Sequence, residues 1–472
     1  MSQLDYLFMG LYTLLLAGVV LRSRFFKISM SQYAVDNRSI AGYIVFFSLA
    51  ASFIGPGYTI GIAEQGFLHG FNYLLILIAF TAQTLLVGYF IAPKLRKYDG
   101  AYTVGDIMGY HYGRSTRFIT GIISLLFCAG IVGVIARVGG LLMQNFFGIP
   151  FVYGVIIITA IVVIYSIFGG IKAVIKTDVF QFVVLSSIIM IFAGILLFRI
   201  HVENIDLFLF SGNFLEFSSS LRLEGTAFLA LFLGFLLGET LVPPYTNRAF
   251  VSRNPQVAKK GFLMAGFFSL IWFVACLLIG VYARSVYPTI EPENAFMHVS
   301  LSVLPIGLKG LLIIALASIV MSSQDSYLNA ASVSFVRDLL NPFKPEISDK
   351  NSLFAARLMT LIIGVLGIIF AINAPGIIGA IMINYTLWAP SIVLPLVLAI
   401  LLPERVNRSA GFFSVIAGII TVLAWRFVFS VPYGIPEIVP GLVMNQIVFW
   451  LLIVWNPAIE IRKDNIDIEL NA

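Results

Sequence analysis

Charge is scarce in this sequence. Asp, Glu, Lys and Arg make up 11% of its 472 residues, against about 25% in ordinary soluble domains, and that scarcity excludes a water-soluble globular chain. Cysteine is nearly absent. Cys128 and Cys276 both lie within apolar runs, so neither a disulfide framework nor a thiolate metal site is expected. The four histidines show no ligand spacing, and the clustered His, Cys and carboxylates that an intramembrane enzyme would need are missing; the chain is read as not an enzyme. Long polar segments are lacking too, so residues 1–472 are read as one membrane domain. The first apolar run follows Asp5 rather than a basic segment and is read as a span, not a leader.

What is present is apolar length. Hydrophobic residues make up 60% of the chain and mean hydropathy is +0.98. Runs of roughly 18 or more residues mark about 13 spans, near 4–21, 41–69, 71–92, 118–146, 150–168, 177–198, 223–243, 260–283, 306–334, 352–372, 376–402, 411–430 and 437–456. With the N-terminus outside, Lys and Arg concentrate in the loops that then face inward, from Arg22 through Arg462 and Lys463. Arg199, Arg222, Arg284, Lys309 and Arg426 are left outside and Arg137 within a span. That bias follows the positive-inside rule and puts the C-terminus in the cytoplasm. It also explains the net charge of +6, so no nucleic-acid surface is expected.

Two spans are interrupted. Gly55-Pro56-Gly57 splits the second, since Pro56 has no N–H to donate and its ring clashes with the preceding turn. Backbone freed at membrane depth is tolerated only where protein or a cavity satisfies it, which makes such a break a binding-site candidate. Gly234 to Pro244, with Glu239 inside it, interrupts the seventh. The two breaks lie five spans apart, which fits two five-span repeats over spans 2–6 and 7–11; an odd repeat length inverts the second copy.

Polar residues inside spans are costly and mark function. Ser318, Ser322, Asp325, Asn329 and Ser332 fall on one helical face, widened by Ser323 and Ser326. A hydroxyl stripe with a carboxylate suits a small hard cation; helix–helix hydrogen bonding is the plainer account. Asp178, with Gln181 one turn on, either caps a helix or serves the site. Arg137 either forms an ion pair with Asp325, Asp178, Glu64 or Glu239, or clamps a substrate carboxylate. Gln83 lies inside the third span.

These residues resemble the sodium/solute symporter family, which includes proline, sialate, glucose and choline carriers. Ala50-Ala51-Ser52-Phe53-Ile54-Gly55-Pro56-Gly57-Tyr58 with the later Ala63-Glu64 is similar to the first core helix of the choline-carrier branch. Gly169-Gly170 through Thr177-Asp178, Tyr245-Thr246-Asn247-Arg248, and Met321 to Ser326 followed by Arg337-Asp338 resemble the family's patterns at core helices 5, 6 and 8. Leu241-Val242-Pro243-Pro244 departs from the Pro-Trp-Gln that many members carry there.

The resemblance implies an all-α polytopic membrane protein of the LeuT type. One helix near 4–21 precedes an inverted five-plus-five core, with a first repeat near 41–198 and a second near 223–402, and two helices near 411–456 follow. It implies a sodium-coupled symporter that imports a small organic solute by alternating access. Na+ would lie between core helices 1 and 8, on Ala51, Ile54, Ile319, Ser322 and Ser323. A second sodium or coupling site would use Asp178, Asp325 and Ser326. Phe53, Gly55, Gly57, Tyr58, Gln83 and Arg137 would face the solute, which Arg137 suggests is a small organic anion or zwitterion, whereas the broken span's likeness to choline carriers suggests a cation. The partners expected are the solute, sodium and the lipid bilayer, for a monomer in the bacterial inner membrane. A proton-coupled carrier, a solute sensor or a channel of the same fold are the alternatives.

Overall fold

The computed structural model describes residues 40–167, 171–207 and 225–455, with isolated positions before 40. The span near 4–21, Gly169-Gly170 and the basic residues after 456 lie outside the described residues.

Among the described residues every regular element is helical. The first broken span consists of α1 (Gly42–Phe53) and α2 (Pro56–His69). Pro56 ends one helix and starts the next, since a missing N–H costs nothing at a first helical position. Gly70, at φ 65°, closes α2. A short 3-10 turn, Gly70–Tyr73, leads straight into α3 (Leu74–Leu86), and the helical run continues through a π-turn to Leu95. The expected spans near 41–69 and 71–92 meet at Gly70, within a succession of helical turns that continues from Pro56 to Leu95.

A short, largely buried helix, α4 (Val104–Tyr112), opens on a capping box between Thr103 and Asp106. Then come α5 (Arg114–Phe147), α6 (Phe151–Ser166) and α7 (Ile171–Glu203). The second broken span is α8 (Gly225–Leu237), a turn over 238–242, and α9 (Pro243–Val251), again with proline at the start. Next are α10 (Pro255–Val286), α11 (Ala295–Val303) and α12 (Leu308–Ser334), followed by α13 (Asp349–Asn373). After α14 (Ile377–Trp388) and a π-turn comes α15 (Leu394–Leu401); α16 (Arg408–Phe427) and α17 (Ile438–Trp455) close the described chain.

Nine of the described helical runs are long and apolar enough to cross a membrane. Burial ranks them. The most apolar window of Leu308–Leu340 is 83% buried and that of Arg114–Phe147 72%, whereas those of Asp349–Asn373 and Ile438–Trp455 are 28% buried. The first pair is central and the second pair presents apolar residues outward, as lipid-facing helices do. Small residues let helices close on the centre. A Cβ on Gly66 would lie 2.6 Å from the Leu277 carbonyl, and one on Gly280 would collide with that of Ala63, so α2 and α10 meet backbone to backbone. At the far end of these elements Ile40 pairs with Val251 and Arg253 through two backbone hydrogen bonds of 3.1 and 2.9 Å. These bonds join the entry to α1 with the exit from α9.

Candidate functional site

The first break faces α12. The Gly55 amide turns to the Ser52 carbonyl (3.3 Å) rather than to Ala51, which a continued helix would engage. Ala51 and Ile54 are buried. The Ile54 carbonyl accepts from the Thr59 hydroxyl at 2.7 Å. A Cβ on Gly55 would lie 3.3 Å from Ser323 Oγ, so the absence of a side chain at Gly55 brings the α12 hydroxyl against the break. Ser323 Oγ is buried and bonds to no described residue. Ser322 donates its proton to Asp178, which leaves its oxygen lone pairs free to accept. A buried orphan hydroxyl, a second hydroxyl with free lone pairs, and carbonyls at a helix break form a donor set that fits a small hard cation. Ile319, one turn before Ser323, is buried on the same helix.

Asp178 is fully buried and paired with Arg248, a residue that sequence reasoning assigned to an inward loop. Arg248 Nη2 lies 3.2 Å from Asp178 Oδ2 and donates to Ser326 at 2.7 Å. Ser48 donates to the same carboxylate oxygen at 2.6 Å. The Tyr-Thr-Asn-Arg motif held the signal for this pair, but spacing alone does not say that the guanidinium turns back into the bundle. Asp325 lies beside this group rather than within it. Its Oδ2 accepts from Tyr165 at 3.0 Å, and its Oδ1 is buried without a described partner.

The expected stripe on α12 is narrower than its spacing suggests. Ser318 and Ser332 hydrogen-bond carbonyls of their own helix, a bond that Ser readily makes at helical spacing. Ser322, Ser323, Asp325 and Ser326 are the members gathered near the break and Asp178.

Arg137 pairs with none of the four carboxylates expected from sequence. Its Nε and Nη2 hold Glu293 at 2.8 and 3.0 Å, Nη1 reaches the Ala371 carbonyl at 3.3 Å, and the Phe151 ring lies 5.3 Å from the guanidinium. The bidentate geometry expected for a substrate carboxylate is thus filled from within the chain. This pair borders a cavity of about 440 Å³, with Glu64 and Gly376 on its wall. Gln83 is buried on α3, and its Oε1 accepts from the adjacent Thr84.

Aromatic rings close over the breaks. Phe53 meets Tyr245 edge-on at 4.7 Å, and the Tyr58 and Tyr385 hydroxyls touch. Gly57 is packed closely, since a Cβ there would lie 3.1 Å from Ile381. Trp388 donates to the Thr240 carbonyl at 3.0 Å and pins the second break to α14.

At the end of the bundle that carries α4, Asp106 is buried. Burial pushes its carboxyl up, but Arg337 and Arg117 outweigh that and hold it below the usual carboxylate range. Arg117 also reaches Asp338 at 3.4 Å, which accepts from Thr103 at 2.7 Å. Nearby His111 is driven by burial down to about 4; its Nε2 meets the Tyr98 hydroxyl at 2.9 Å.

Two broken helices packed face to face within an all-helical membrane bundle are the architecture of a secondary transporter. Residues 33–418 match the family model of the sodium:solute symporter family, and the chain belongs to that family; it is a transporter, not an enzyme. It is 23% identical to a sodium/proline symporter of Staphylococcus aureus, over 95% of this chain and 92% of that one. It is 24% identical to the osmoregulated proline transporter OpuE of Bacillus subtilis, over 89% and 88%. Among solved structures, a Na+-coupled sialic acid symporter in a substrate-bound outward-open state superposes with a TM-score of 0.80 at 20% identity, covering 96% of this chain and 98% of that one. Mhp1, a nucleobase-cation-symport-1 family transporter, gives 0.62 at 12% identity, covering 93% and 99%.

Proposed function

We propose that this protein couples the inward movement of sodium to the import of a small organic solute, by alternating access around the two breaks. Sodium lies between α1 and α12 on the carbonyls of Ala51, Ile54 and Ile319 and the hydroxyls of Ser322 and Ser323. The observation that carries this reading is the buried Ser323 hydroxyl, without a partner among the described residues, held against the break at Gly55. Ion binding there fixes the angle between α1 and α2, and the Phe53–Tyr58 segment with it. By linkage, solute raises sodium affinity by the factor that sodium raises its own.

Arg248 occupies Asp178 and Ser326, two of the positions that the family resemblance assigns to a second ion. Its guanidinium supplies the positive charge there, which supports one sodium per cycle. One charge crossing about 100 mV yields roughly 2.3 kcal/mol, and a tenfold gradient adds about 1.4 kcal/mol. Together they support on the order of 500-fold accumulation of a neutral solute. The arrangement of about 13 spans, the inverted five-plus-five core, the outside N-terminus and the bacterial plasma membrane belong to the same reading, in which the Arg137–Glu293 cavity opens outward.

The test is sodium-dependent thermal stabilisation of the purified protein. Ser322→Ala with Ser323→Ala abolishes it; unchanged sodium affinity overturns the site. A sodium Hill coefficient near 2 in uptake overturns the single-ion stoichiometry. The bare Oδ1 of Asp325 favours one second reading, proton coupling. Uptake that persists without sodium and collapses with the pH gradient would establish it.

A further inference from the structure

The second break presents a buried carboxyl group with no described cation beside it. Glu239 is 2% exposed. Its carboxyl lies among the hydroxyls of Tyr58, Tyr245 and Tyr385, and its Oε2 accepts no hydrogen bond from any described residue. The basic side chains within the described bundle are committed elsewhere: Arg248 is held by Asp178 and Arg137 by Glu293. A buried carboxyl is costly to ionise without a cation, and an occupant that brings the missing positive charge removes much of that cost.

The walls around Glu239 narrow the choice of occupant. The Tyr58 ring lies 5.1 Å from Phe80 and 5.9 Å from both Phe235 and Phe273. Tyr385 lies 6.3 Å from Phe235. A metal ion gains its affinity from several oxygen ligands and has little use for ring faces. An alkylated ammonium gains from both, because the carboxylate neutralises it and the rings solvate its methyl groups through their negative faces. A solute bearing only a carboxylate would meet Glu239 as a like charge.

We infer that the aromatic box at the second break is the solute subsite, and that it binds an ammonium group, the cationic end of a small organic cation or zwitterion, between Glu239 and the rings of Tyr58 and Tyr385. This rests on the symporter reading and names the solute class for it. The incoming head group displaces the Tyr58–Tyr385 hydroxyl contact. The carboxylate clamp expected of Arg137 plays no part, since Glu293 fills it.

The test uses the full chain in detergent with saturating sodium, with tetramethylammonium and acetate as probes. Tetramethylammonium raises the unfolding temperature of the wild type and acetate does not. Glu239→Gln weakens the tetramethylammonium response by about tenfold or more while the shift produced by sodium alone is kept. Phe235→Leu, which removes a ring and keeps apolar bulk, weakens the same response independently, so the inference stays open to refutation if Glu239→Gln does not fold. A Glu239→Gln protein with unchanged tetramethylammonium affinity, or a wild type that acetate stabilises equally, overturns it. A wild type that sodium itself fails to stabilise overturns the symporter reading instead.

Discussion

The two breaks are made by one device and tuned to different ends. Ile54-Gly55-Pro56-Gly57-Tyr58-Thr59 and Leu241-Val242-Pro243-Pro244-Tyr245-Thr246 share Pro-x-Tyr-Thr in the same register. In each, proline restarts the helix and the threonine hydroxyl reaches back across the break. Thr59 donates to Ile54 O at 2.7 Å and Gly55 O at 3.2 Å; Thr246 donates to Leu241 O at 2.7 Å and Val242 O at 3.0 Å. The match supports the repeat reading, which span placement alone had suggested.

The difference lies in the two residues before the proline, Ile54-Gly55 at the first break and Leu241-Val242 at the second. Gly55 leaves room for Ser323, so a hydroxyl of α12 lies against the first break. The second places Leu241 at φ 56°, a left-handed conformation that costs about 1–2 kcal/mol for a residue with a Cβ. Leu241 is 2% exposed, and the same turn carries Glu239, whose carboxyl lies among the tyrosines.

The largest expected effect breaks the comparison at its shared support. Arg248→Ala, just beyond the second break, leaves Asp178 buried and unpaired and costs about 3–5 kcal/mol. Removing Asp178 as well should restore part of that, as a double-mutant cycle in thermal unfolding would read; full additivity of the two losses would mean that the pair is not coupled.

A smaller effect lies away from both breaks and sharpens the comparison as a control. His111 is neutral when folded, with a value near 4 against 6.5 in the unfolded chain. The unfolded state binds the extra proton between those values, so stability falls as pH drops from 6.5 towards 4, by up to about 3 kcal/mol. Asp106, held low, adds a further loss only as pH falls through the carboxylate range. His111→Gln should flatten the first window and leave sodium affinity unchanged.

Gly55→Ala should weaken sodium stabilisation by about tenfold, roughly 1.4 kcal/mol, since its Cβ approaches Ser323 Oγ and the Ser52 carbonyl. The smallest pair tests the shared device. Thr59→Val and Thr246→Val should each cost about 1 kcal/mol through a lost hydrogen bond to a buried carbonyl. Of the two, Thr59→Val alone should change sodium affinity, because its acceptor Ile54 is a proposed ligand.

Apolar runs, the two interruptions and the family motifs were readable as sequence because each depends on local chemistry. A bilayer demands length and apolarity of a segment whatever its neighbours, and proline breaks a helix wherever it stands. Those signals determined a polytopic helical transporter, placed the breaks, and drew attention to Asp178, Ser322 and Ser323. The partners were decided only by packing across the bundle. Arg137 found Glu293, far along the chain in a loop, and Arg248 turned inward to Asp178. Ser318 and Ser332 satisfied themselves on their own helix. Glu239, read as part of the second interruption, lies among tyrosines on three other elements. A charge does not carry its counter-charge in its own sequence neighbourhood; which groups are paired, and which are left without a partner among the described residues, is settled by the tertiary fold.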